Sequence, residues 1–199
     1  MRSFFALFLA IIFTLVPWSN GCVSNNGNKN NIIRVDCNNI NAFNLSKLPV
    51  DMVLLSKCDD YLYREEALVK AIEIFVQEYA ETFEIDSAVI WSHLYGLKIE
   101  LSIIPRVVKA AYSMDGKLLK GDVPVSGLAL SPKHIWVEIK TSQIWSSSLI
   151  HELVHIIIWN QNSGIHADPD HEGEQYSGWT EQHTKFIKDL NIQLLDLGI

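Results

Sequence analysis

The sequence predicts an α+β domain, and three observations predict it. Ile135, Val137 and Ile139 alternate with Trp136, Glu138 and Lys140, the period-two pattern of a half-buried strand. Leu68, Ile72, Phe75, Tyr79 and Phe83 recur at helical spacing. Leu149, Ile150, Leu153, Val154, Ile156, Ile157 and Ile158 make a third segment apolar on nearly every side, as only a helix inside a domain can be.

At 199 residues the chain is long enough for one domain with a real core. Its net charge of −7 comes with no cluster of Lys or Arg, so nothing in the sequence predicts a nucleic-acid partner. The first residues read as a targeting segment. Arg2 is the positive start, and Phe4 to Val16 is an apolar run ended by Pro17, shorter than the about 20 residues a bilayer span needs. Residues 1–21 are expected to be a signal peptide and residues 22–31 an anchor and Asn-rich tether. Residues 32–199 are then a single folded domain.

Gly21-Cys22, just after the apolar run, resembles a bacterial lipoprotein signal, although Ser19 stands where an aliphatic residue is usual. The resemblance implies membrane attachment through a lipidated Cys22, in a bacterial periplasm or on an outer surface. Ordinary secretion is the alternative. A lipidated Cys22 would leave Cys37 and Cys58 as an even pair, and a bridge between them would contribute about 3 kcal/mol.

Within the domain, residues 32–60 read as irregular. A helix follows from Leu62 to about Phe83, with Asp59 or Asp60 at its start, and Glu65, Glu66, Glu78 and Glu81 on its solvated face. Leu97 to Ile103 alternates as a strand ended by Pro105. Val107–Ser113 and Lys117–Lys120 flank the hairpin turn Met114-Asp115-Gly116, and Gly127–Ser131 is a further strand. After the strand around Val137, Thr141 or Ser142 starts a helix that runs to about Asn160. A polar loop then spans Gln161 to Gly178, and Thr180 caps a last helix with Phe186, Ile187, Leu190 and Leu194 on its apolar face.

The apolar helix carries His151-Glu152-Leu153-Val154-His155. Residues four apart on a helix share a face, so the two imidazoles project together. Neutral imidazole binds zinc at about 2.0–2.1 Å, and a catalytic site adds a third protein ligand and a water. Glu152 sits where a carboxylate could take a proton from that water. The segment resembles the zincin superfamily of metallopeptidases. That resemblance implies a zincin-like small mixed sheet packed on the motif helix, with flanking N- and C-terminal helices. It also implies His151 and His155 as ligands of one Zn2+ ion and Glu152 as general base. His134 to Lys140 would be the edge strand that aligns a peptide or protein substrate.

The third ligand is expected in the loop, where His171 is favoured over Asp168, Asp170, His166 and Glu172. Tyr176 or His183 could donate to an oxyanion, and His183 otherwise reads as a packing residue. The metzincin continuation is missing, since Ile158 and Gln161 occupy its Gly and His positions. The reading is thus an exported zinc peptidase, with the peptide crossbridges of a cell wall as one further substrate class. The alternative is a non-enzymatic exported lipoprotein that binds a protein partner through the Trp136 strand and the loop, with metal absent or structural. The sequence leaves the oligomeric state open.

Overall fold

The structure is a computed structural model that describes residues 41–57, 65–102, 106–112, 118–138, 147–162 and 178–199. The signal segment, Cys22, Cys37, Cys58, the turn at Met114–Gly116 and the loop from 163 to 177 lie outside the described residues.

Among the described residues, seven strands and four helices follow in the order β1 (Asn41–Asn44), β2 (Val53–Lys57), α1 (Glu65–Phe83), α2 (Ser87–Leu94), β3 (Lys98–Ser102), β4 (Arg106–Tyr112), β5 (Leu118–Val125), β6 (Gly127–Ser131), β7 (His134–Glu138), α3 (Ser147–Gln161) and α4 (Glu181–Asp196). Five of the strands form one mixed sheet in the order β1-β2-β3-β7-β6. Its centre is parallel, with Leu54 opposite Ile99 and Ile99 opposite Ile135, while β1 and β6 pair antiparallel to their neighbours. β4 and β5 form a separate two-stranded hairpin. The α+β class therefore stands, as a five-stranded mixed sheet with flanking helices.

One sheet face makes the core. Leu54, Ile99, Leu101, Ile135 and Val137 point to it and are buried with the apolar residues of α1 and α3. On α1 the predicted stripe holds: Leu68, Ile72, Phe75 and Tyr79 are buried, and Phe83 packs against them half-buried. Its expected caps, Asp59 and Asp60, lie outside the described residues. Glu84, at φ 53°, ends α1 in the left-handed region. Asp86 then starts α2, its carboxylate accepting the Ala88 N–H at 2.8 Å.

The other face of the sheet mixes polar and apolar residues and holds a buried acid. The Glu100 side chain is 8% exposed, and it accepts a hydrogen bond from Arg106 Nη2 at 3.0 Å with His134 Nε2 at 3.4 Å. The Arg106 guanidinium in turn lies 4.9 Å from the centroid of the Trp136 ring. Trp136 is 1% exposed, so it is not the partner-binding surface that the alternative reading expected.

Two expectations are corrected by the topology. Residues 32–60 are not all irregular, since they contain β1 and β2. Nor is the His134 strand at an edge, because β7 lies between β3 and β6 and bonds to both. The edge next to α3 is β6.

The end of α3 is tied to that edge region by one amide. Asn160 Nδ2 donates to the carbonyls of Ile156 at 2.8 Å, Pro132 at 3.0 Å and His93 at 3.4 Å. Lys133 Nζ donates to the same His93 carbonyl at 2.8 Å. These bonds join α2, the β6–β7 turn and α3. Replacing Asn160 with Ala leaves the Pro132 carbonyl without that donor and should lower unfolding free energy by about 1–2 kcal/mol in urea denaturation. A change within about 0.3 kcal/mol would show that the tie carries no weight.

Candidate functional site

His151, Glu152 and His155 all lie on α3. The helix is apolar around them because it is the core helix, with Leu149, Ile150, Leu153, Val154, Ile156 and Ile157 each fully buried. The spacing does bring the two imidazoles together. Their Nε2 atoms are 3.1 Å apart, so one ring donates to the other, and the rings meet edge-on with centroids 4.8 Å apart.

Trp179 covers the pair. Its ring centroid lies 4.9 Å from that of His151 and 4.8 Å from that of His155. The indole N–H donates to Thr184 Oγ1 at 3.0 Å, which fixes the ring to the first turn of α4. Nothing in the local sequence pattern singled out Trp179. A large aromatic just before a helix cap is the one signal that could have found it.

Glu152 points elsewhere. It is 5% exposed, and its carboxyl oxygen takes the N–H of Ala129 on β6. Burial pushes the carboxyl up to about 8, with the Ala129 hydrogen bond pulling weakly the other way.

His183 belongs to the frame of the site. Its Nδ1 accepts the Thr180 N–H at 3.0 Å in a capping box, so the neutral ring carries its proton on Nε2 and donates to Tyr79 Oη at 3.1 Å. Phe83 stacks on the ring at 4.3 Å. Burial lowers its pKa to about 4 and raises that of Tyr79, so both stay neutral. Thr180 caps the last helix, as the sequence predicted.

The expected zinc centre is corrected here. Among the described residues, no group of three or more His, Cys, Asp or Glu side chains is placed to hold a metal ion. The helix supplies two imidazoles and turns its carboxyl to the sheet edge, one donor short of a three-ligand site. His171, His166, Asp168, Asp170, Glu172 and Tyr176 lie outside the described residues. Among the described residues the donor set is therefore incomplete for the one zinc ion expected, and no site of a zinc-dependent peptidase is formed there. The zincin-like refinement of the fold class falls with it, leaving the α+β description. Comparison with known proteins finds no family model, no curated protein and no solved structure that matches the chain. The zincin resemblance thus rests on five residues with no matching family behind it.

The two shifted groups predict a pH profile. The folded pKa of Glu152 is raised above its unfolded value of about 4.3, so its stabilisation is full below that pH and is lost as pH rises through about 8. For His183 the folded value is depressed below about 6.5. Its contribution is full above that pH and is lost as pH falls through about 4. Between about 4.5 and 6.5 the two oppose each other, with His93, also lowered by burial, acting in the direction of His183, and above 6.5 only Glu152 of these three groups still acts. Unfolding free energy should fall by about 2 kcal/mol between pH 6.5 and 8, and Glu152→Gln should remove that slope. A wild-type profile flat over this interval, measured by urea denaturation, would contradict the burial of an acid at 152.

Proposed function

We propose that this chain is an exported protein-binding domain that takes an extended segment of a partner protein along β6, by strand addition. One observation carries the proposal: β6 ends the five-stranded sheet. Glu138 N–H bonds the Ser126 carbonyl at 2.8 Å, so by antiparallel alternation Gly127 and Ala129 direct their own N–H and C=O groups away from β7. The Ala129 N–H bonded to Glu152 agrees with that direction. Main-chain groups at a sheet edge supply affinity for any extended peptide, and side chains beside the edge supply selectivity. Here Leu130 is 41% exposed on β6 itself, and α3 flanks the edge.

In this reading residues 1–21 direct export and Cys22, if lipidated, holds the domain at a membrane, with residues 23–31 as tether. The partner is a protein or peptide. Glu152 is the site residue at the edge itself, while His151 and His155 stay packed against Trp179. No bond is broken.

The test is a panel of short extended peptides with alternating apolar side chains, followed by backbone NMR on the domain from about residue 32. Binding should shift the amides of Gly127–Ser131 and the exposed side of α3. Peptides that bind while leaving the amides of 127–131 unmoved would rule out strand addition at this edge.

A further inference from the structure

Gly127 is unusual for its place. It is the first residue of an ordinary strand, its φ lies outside the left-handed region, and the register shift in β6 falls further along, between Ala129 and Ser131. Neither a turn nor a bulge asks for glycine there. Glycine within a strand otherwise weakens it, and its remaining use is to let another group approach the backbone closely.

That group is Glu152. A Cβ at position 127 would lie 2.9 Å from Glu152 Cγ and 3.0 Å from Cδ, and closer still to Oε1. The glutamate cannot give way by moving its backbone, because α3 is held by its buried apolar neighbours on both sides of residue 152. Only its side chain can leave. If it leaves, it gives up the Ala129 N–H.

We infer that the Glu152 carboxyl is a plug on the outer edge of β6, seated through the missing side chain of Gly127, and that an extended partner segment must displace it. The carboxyl oxygen occupies the place of a neighbouring strand's carbonyl. A plugged edge does not pair with the edges of other copies, which is the hazard an open edge strand carries. Displacement transfers the Ala129 N–H from the Glu152 oxygen to a backbone carbonyl of the partner, so the number of hydrogen bonds at that amide is unchanged. Gly127 is then a positioning residue, acting through Glu152. The inference rests on the strand-addition reading only for its second readout.

The experiment uses the whole exported domain and two variants. Gly127→Ala expels the plug by crowding, and Glu152→Ala removes it without crowding, so one variant decides if the other fails to fold. The first readout is hydrogen exchange at the Ala129 amide, which needs no ligand. Both variants should speed it at least tenfold while leaving the amides of Leu101 and Val137 in the sheet interior slow. The second readout is affinity for a peptide from the panel above, which should rise, because nothing has to be displaced. If Ala129 exchanges at the wild-type rate in folded Glu152→Ala or Gly127→Ala protein, the plug does not exist. Faster exchange without peptide binding to any form leaves the plug standing and overturns the strand-addition reading.

Discussion

The domain is organised around the close approach of α3 to β6, where a carboxylic acid is buried against the backbone of a strand. Burying an acid unpaired is costly, and the cost is met here by keeping the proton and accepting one amide N–H. Both conditions depend on distance. The helix must lie near enough for the side chain to reach Ala129, and the strand must carry no side chain at 127. The bond from Asn160 to the Pro132 carbonyl holds the other end of the helix to the β6–β7 turn, so the separation is set at two points.

Above that contact lies an aromatic and imidazole cluster built from α1, α3 and α4. Trp179 rests on His151 and His155, and His183 links the start of α4 to Tyr79 and Phe83 on α1. The arrangement explains why a helix with two histidines tolerates burial. One imidazole bonds the other, and an indole ring packs against both. The same five-residue signature that suggests a metal site can thus serve packing and a polar contact within a core. The number and direction of the donors, rather than the motif, separate these uses.

Helices α1, α3 and α4 were legible because amphipathic spacing and caps are local, while the short α2 was not read from the sequence. The α1 stripe, the apolar α3 and the Thr180 cap all follow from residues a few positions apart. β3, β6, β7 and the hairpin strands were legible from alternation and from the Asp-Gly turn. β1 and β2 were not, since Asn41–Asn44 and Val53–Lys57 are short and do not alternate, and their strand character comes from pairing, β2 with β3 and β1 with β2. Which strand is an edge depends on partners distant in sequence, so β7 was misplaced while β6 was found. At the site, the convergence of His151 and His155 followed from helical geometry. The direction of Glu152 did not, because it is decided by Gly127, a residue that only a strand-by-strand account of glycine would single out.

The parallel centre of the sheet also bears on how the chain reaches this structure. β2, β3 and β7 are drawn from residues 53–57, 98–102 and 134–138, so each pairing closes a long loop. The β4–β5 hairpin and the helices need only neighbours and can form early. The central strands can assemble only once residue 138 is on hand, and until then Leu54, Ile99 and Leu101 lack the neighbours that cover them. A chain that emerges from its N-terminus would therefore spend its time of greatest vulnerability to aggregation before the last third arrives.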